Sequence, residues 1–179
     1  TGNLYNINNI KFLKTKFNNS IDFITADGGF DYSTNFNKQE EMSYKIIFCE
    51  IVAALSTQKT GGTFICKIFD SFTFITIRFM FLLFTFYDKV YITKPFTSRP
   101  ANSEKYIVCT GFKYIEDSYL NLLYTYIDKW DIYNKNIFSF IDLPYSFVKR
   151  IKIFNNILNN KQINNIEKTI NLINNTDEK

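Results

Sequence analysis

Histidine is absent from the 179 residues. That removes Ser-His-Asp and Cys-His nucleophile chemistry and any His-ligated metal site. Cysteine is scarce. Cys49, Cys66 and Cys109 lie far apart with no CxxC pair, so no zinc knuckle, redox pair or other metal site is expected. A sparse, odd cysteine count suits a reducing compartment, here the cytoplasm. Glycine (6) and proline (3) are few. No glycine-rich turn of the GxGxxG kind follows a strand pattern anywhere in the chain. The one long hydrophobic run, 71–87, is 17 residues with Arg78 near its middle. Spanning a bilayer takes roughly 20 residues, so the run reads as a buried helix and no membrane partner is expected. Charge of one sign is not in large excess. The net charge of +4 permits nucleic-acid binding without arguing for it.

What the chain does have is apolar and aromatic material: 46% hydrophobic residues, including 20 Phe and 12 Tyr, enough for a real core. The length suggests one domain with an appendage. Thr1 opens the chain with no visible signal peptide, which reads as a piece of something longer. Asn occurs 21 times, 9 of them between Asn155 and Asn175, and with the Ile and Lys content this looks like an AT-rich coding bias.

The segment 21–26 is a short apolar run closed by Asp27-Gly28-Gly29, a strand and a tight turn. Residues 38–58 read as a helix with Met42, Ile46, Cys49 and Ala53 on one face, stopped by Gly61-Gly62. A second strand over 63–69, a helix over 71–87 capped by Asp70 or Ser71, and strands over 89–93 and 105–111 follow. Such alternation predicts an α/β fold, a largely parallel sheet covered by helices, with the last two strands pairing antiparallel at its edge. Beyond residue 112 the pattern turns helical, over 119–130 and 146–158. Ile163, Ile166, Ile170 and Ile173 form a stripe on a polar helix, which is expected to pack on the parent domain, with a protein partner as the alternative. The last residues are expected to fray.

Three ionisable residues fall at strand ends: Asp27 after the first, Lys67 late in the second, Glu104 just before the fourth. In an open α/β sheet, ligands bind beyond the carboxyl ends of the parallel strands. An antiparallel fourth strand begins at that same end, so the three are expected to converge in one cleft. A lysine in a strand as apolar as 64–69 calls for a carboxylate partner. A cluster that merely closes the sheet end is the alternative.

Four blocks resemble the FtsJ-like family of RNA ribose 2′-O-methyltransferases. They are Gly2-Asn3-Leu4 followed by Asn9-Ile10; Asp27-Gly28-Gly29-Phe30-Asp31; Gly61-Gly62 through Phe69; and Lys94-Pro95-Phe96-Thr97-Ser98-Arg99-Pro100-Ala101-Asn102-Ser103-Glu104-Lys105-Tyr106. They lie in order over residues 1–112, and residues 113–179 form a helical extension. The resemblance implies a Rossmann-like methyltransferase sheet, mostly parallel with an antiparallel edge strand, whose first strands lie outside this sequence. It implies S-adenosylmethionine as methyl donor and a Lys-Asp-Lys-Glu tetrad, of which Asp27, Lys67 and Glu104 match the last three. The first lysine and the cofactor glycine loop have no counterpart here. Asn3 stands where the family usually carries Asp against the adenine, and its carbonyl can still accept. Asn3, Leu4 and Asp27 are the expected cofactor contacts.

The implied reaction is direct methyl transfer to a ribose 2′-OH, with Lys67 deprotonating or orienting the hydroxyl and Glu104 orienting Lys67. Ser98, Arg99, Lys94 and Lys38 are the expected RNA contacts. A surface salt bridge is the alternative for Arg99, and plain solvation for the lysines. Tyr32 and Phe36 are candidates for stacking on a base. The blocks look more like the cap-type, viral-like branch than the bacterial ribosomal one, so capped mRNA is the expected substrate. Ribosomal or transfer RNA, or a non-catalytic RNA-binding module, are the alternatives. Without the first strands, the sheet is expected to expose a long apolar edge and to aggregate.

Overall fold

The computed structural model describes residues 2–32 and 35–176, apart from the side chains of Phe36 and Thr176. The expected frayed end at 177–179 lies outside the described residues. The elements are α1 (Ile7–Phe17), β1 (Ile21–Ala26), a 3-10 turn (Phe36–Lys38), α2 (Gln39–Thr57), β2 (Gln58–Ile68), α3 (Phe74–Phe86), β3 (Tyr87–Thr93), β4 (Lys105–Phe112), α4 (Asp117–Asp128), α5 (Trp130–Tyr133) and α6 (Tyr145–Thr176).

The four strands form one sheet in the order β1-β2-β4-β3. β1 and β2 pair parallel, and β4 pairs antiparallel with both β2 and β3. Three strands therefore run one way and β4 runs against them. The α/β architecture is the expected one. The antiparallel strand, however, lies inside the sheet and leaves β3 at the edge. The 11-residue connection that follows β3 lets the chain turn back and fill the place beside β2.

α1 has no counterpart in the sequence reading. Its signals are local: Asn6 caps the first turn by accepting from the Asn8 N–H at 3.0 Å, and Asn18 ends the helix in the left-handed region at φ 43°. Gly61-Gly62 does not stop α2. Gln58 leaves the helix directly in an extended conformation. The two glycines fall in a bulge, where the β1–β2 register jumps from Ile21↔Gln58 to Phe23↔Thr63. Gly61 takes φ +84° there, a conformation L side chains avoid. α3 is capped by Thr73 rather than by Asp70 or Ser71, both of which have other partners.

α2 is buried on nearly every side. Ile47, Phe48, Cys49, Ile51, Val52 and Leu55 are all in the core, whereas Met42 is exposed. A single apolar face is too narrow a description, because α2 packs on the sheet, α1, α3 and α4 at once. Phe48 sits at the junction, stacked on Phe79 of α3 at 5.3 Å and close to Trp130 at 5.8 Å and Phe138 at 5.7 Å. Such aromatic contacts add about 0.5–1.5 kcal/mol each beyond area burial. Leu120, Ile127, Trp130 and Ile151 belong to the same core, so the C-terminal helices complete it. The two helices expected over 146–158 and around the isoleucines are one 32-residue helix, α6. The stripe Ile163, Ile166, Ile170 and Ile173, expected to pack on the parent domain, is not part of the buried core. All four are exposed. No helix among the described residues is long and apolar enough to cross a membrane.

Helices cover one face of the sheet. On the other face the paired rows Thr63–Thr110–Lys89, Ile65–Val108–Tyr91 and Lys67–Tyr106–Thr93 lie beside Phe23 and Thr25, and none of these residues is buried. Apolar exposure was expected along an edge. It occurs on this face as well, at Phe23 and Tyr91, among threonines and lysines.

Candidate active site

The open face carries the ionisable cluster at its carboxyl end. Ala26 pairs with Cys66, so Asp27 continues β1 to the level of Lys67. The two side chains form an ion pair in which Lys67 is largely covered and Asp27 largely exposed. The Lys67 ammonium also lies 5.7 Å from the Phe69 ring centroid. Lys67 pairs across the sheet with Tyr106. The Tyr106 hydroxyl donates to the Glu104 carboxylate at 2.9 Å, and Asn102 Nδ2 reaches the other carboxylate oxygen at 3.5 Å. Desolvation, followed by the bond to Glu104, pushes the Tyr106 phenol up to about 12. Asp27, Lys67 and Glu104 are thus brought to one end of one face. Among the described residues only Asp27 ion-pairs with Lys67, and Glu104 joins the row through Tyr106. Strand alternation would have found Tyr106, two residues beyond Glu104 on the same face.

Behind this row stands a residue the sequence reading missed. Glu50 of α2 is buried, and its Oε1 accepts from the Gly28 N–H at 2.6 Å. Cys66 Sγ lies 3.8 Å from Oε2. Burial raises the Glu50 carboxyl above its ordinary 4.5. The Gly28 bond and Lys67 act against that shift, and Asp27 adds to it. The contact explains the glycine. A Cβ at Gly28 would stand 2.4 Å from Glu50 Oε1 and 2.7 Å from Ile46 Cγ1. The signal was an acid inside an otherwise apolar helix stretch, the same anomaly that singled out Lys67.

The segment after Lys67 is held from three sides. Glu40 of α2 accepts from the Phe72 and Thr73 N–H groups at 3.2 and 3.0 Å and from the Thr73 and Thr76 hydroxyls at 2.7 and 2.6 Å. It thereby places a carboxylate at the N-terminus of α3, the end where anions are favoured. Asn155 of α6 accepts from the Ser71 hydroxyl at 2.7 Å and donates to the Ser71 carbonyl at 2.8 Å. Lys105, buried on the helix side of the sheet, pairs with Asp70 at 2.8 Å.

The connection over 94–104 borders a cleft of about 550 Å³ that includes Asn37, Asp70, Arg99, Ser103 and Glu104. Arg99 is exposed there, and no ion pair is recorded for it among the described residues. Lys38 is exposed between Asn37 and Gln39 on the rim. Lys94 is spent on the connection itself. Its ammonium donates to Ser98 Oγ, the Asn102 carbonyl and Oδ1, and the Glu104 carbonyl at 2.7–3.3 Å. Desolvation, then the nearby Lys105 charge, lowers its pKa. Ser98 is half-buried against this lysine. Tyr32 is no base-stacking platform, because it is buried edge-on against Phe69 at 5.0 Å. The Phe36 side chain lies outside the described residues.

Asn3 is exposed, and its Oδ1 accepts from the Tyr5 N–H at 2.9 Å, which leaves one lone pair of that carbonyl oxygen. Leu4 and Asp27 line a common cavity of about 290 Å³ between α1, β1 and α2, near the lower bound of about 300 Å³ for small-molecule sites. An apolar wall at Leu4 and a carboxylate at Asp27 suit one end of a nucleoside carrying a cationic substituent, while Asn3 lies next to Leu4 in the chain but does not line the cavity.

A family model described as FtsJ-like methyltransferase matches residues 1–112. The cap-specific mRNA (nucleoside-2′-O-)-methyltransferases 1 of Bos taurus and Homo sapiens are each 46% identical over 93 residues, covering 52% of this chain and 11% of those proteins. The Dictyostelium discoideum protein of that name is 41% identical over 117 residues, covering 63% of this chain and 16% of its own length. A solved structure described as a ribosomal RNA methyltransferase of Plasmodium falciparum overlaps 62% of this chain and 58% of its own, at 25% identity and a TM-score of 0.47. The matched stretch is thus a small part of these curated relatives. With its family match over most of its length and its ionisable row at the carboxyl end of the sheet, the chain belongs to the FtsJ-like methyltransferase family.

Proposed function

We propose that this chain carries the acceptor-side half of an active site that methylates a ribose 2′-OH near the cap of mRNA. The observation that supports it most is the Lys67–Asp27 ion pair, aligned with Tyr106 and Glu104 across an open sheet face. The cap-specific names of the relatives favour that substrate over ribosomal or transfer RNA. S-adenosylmethionine would supply an electrophilic sulfonium methyl, with Asn3, Leu4 and Asp27 as its contacts on this chain.

The chain's own residues do the rest. Lys67 is fixed by Asp27, so its ammonium presents its remaining N–H groups toward a hydroxyl laid over the open face. The Glu104 carboxylate, oriented by Tyr106, accepts from that hydroxyl and would take its proton as the oxygen bonds the methyl and the methyl–sulfur bond breaks. Much of the expected rate gain comes from this alignment. Arg99 supplies a planar fork for a phosphate, with Lys38 exposed beside the same cleft and Ser98 in the adjoining groove.

Lys67→Ala is the test. Turnover on capped RNA is expected to vanish while cofactor affinity changes far less, since Lys67 meets the reacting hydroxyl directly and the cofactor side only through Asp27. Equal loss of both would refute the assignment.

A further inference from the structure

Phe96 is 108% exposed, the most solvent-exposed of the large apolar side chains among the described residues; the next, Tyr145, is at 80%. Full exposure of a phenyl ring forfeits the burial that drives most Phe inside. A flexible loop would fold the ring down onto the protein, but this segment is braced. Lys94 ties it together through four acceptors, Pro95 and Pro100 restrict its backbone, and Gln162 Nε2 of α6 donates to the Ala101 carbonyl at 2.9 Å. The ring is held out by construction.

It overlooks a groove of about 360 Å³ whose far wall is α6, where Lys161, Gln162 and Asn165 face the loop. Lys161 is exposed and in no ion pair among the described residues. The amide groups of Gln162 and Asn165 donate to carbonyls of Ala101 and Lys161. Their carbonyl oxygens remain as acceptors for an exocyclic amine. Asn102 and Gln162 line both this groove and the Arg99–Glu104 cleft, so the two are continuous.

Resting on the reading of the chain as an RNA methyltransferase, we infer that this groove is a subsite for one unpaired nucleotide adjacent to the target ribose. Phe96 stacks on its base, the α6 amides meet the base edge, and Lys161 takes a neighbouring phosphate. An aromatic face, amide acceptors and a lone cation are the elements single-stranded RNA sites use. The long C-terminal helix then contributes to substrate choice as well as to the core.

Equilibrium binding of a fluorescein-labelled single-stranded RNA decamer, titrated across salt concentrations, tests the inference with the protein and its variants. Phe96→Ala is expected to weaken binding about tenfold, without changing the salt slope, while Phe96→Trp retains affinity. Lys161→Ala is expected to lower the magnitude of the slope by about 0.7. Methyl-transfer kinetics should show the Phe96→Ala effect in KM and not in kcat. If the wild type binds and methylates RNA but Phe96→Ala binds equally well, the subsite falls alone. That is also the result expected if the groove takes a protein segment. If the wild type binds no single-stranded RNA at any salt, the subsite and the reading beneath it fall together.

Discussion

Glu40→Gln isolates the bond set that fixes the turn after the Lys67 strand. The carboxylate is buried and takes four donors, with Oε2 serving the Phe72 N–H alone and Oε1 serving the Thr73 N–H and two hydroxyls. A glutamine that keeps its carbonyl at the busier position turns an NH2 toward the Phe72 N–H. One buried donor then goes unpaired, at a cost of about 1–3 kcal/mol. The other three bonds lose their charge assistance, worth roughly twofold in strength. Relief of the buried charge offsets part of this. The net loss is therefore about 2–4 kcal/mol. For a chain of this size each kcal/mol moves Tm by about 2–4 °C, so a fall of roughly 5–15 °C is expected. Thermal unfolding followed by circular dichroism at 222 nm measures it. Glu41→Gln, an exposed neighbour, serves as the control and should move Tm by less than about 1 °C. A Glu40→Gln change as small as the control's would refute the claim that this carboxylate organises the start of α3.

Asn155→Leu removes both bonds to Ser71 and leaves a buried carbonyl and hydroxyl without partners. Chemical denaturation should register a loss of about 2–4 kcal/mol. Gly28→Ala and Gly29→Ala should separate cleanly. The first drives a methyl into Glu50 and Ile46 and costs about 1–3 kcal/mol in the same assay. The second meets nothing nearer than Lys67 Nζ at 3.7 Å and should be nearly neutral. Glu50 titrates above its ordinary 4.5 in the fold because burial disfavours the carboxylate. Its contribution to stability is therefore full below that value and is lost as pH rises through the folded value. Measured by urea unfolding between pH 4.5 and 8, wild type should lose stability relative to Glu50→Gln as pH rises. A pH-independent difference would contradict the burial argument.

Much of the site was legible because strand ends are local features. Asp27 before a double glycine and Lys67 in an apolar strand mark themselves, and their convergence follows from parallel pairing alone. Glu104 needed the further premise of an antiparallel last strand, which held. What escaped depends on long-range packing. Nothing local says that β4 inserts beside β2, because that follows from closing the sheet. Asn155 is chemically indistinguishable from the Asn residues around it, and only the position of α6 over Ser71 makes it a structural bond. Glu50 went unremarked because the periodicity of α2 was fitted to one apolar face, whereas the helix is enclosed. Gly61-Gly62 looked like a helix stop because a bulge and a cap draw on the same residue.

The central claim is that Asp27, Lys67 and Glu104 serve methylation of a cap-proximal ribose. Transfer of labelled methyl from S-adenosylmethionine to matched capped and uncapped RNAs, followed by nuclease mapping of the label, tests it most directly. The account predicts label on the 2′-oxygen of the first transcribed nucleotides of capped RNA, and its loss in Lys67→Ala. Folded, cofactor-bound protein that labels no RNA, or that labels capped and uncapped RNA alike, would contradict it.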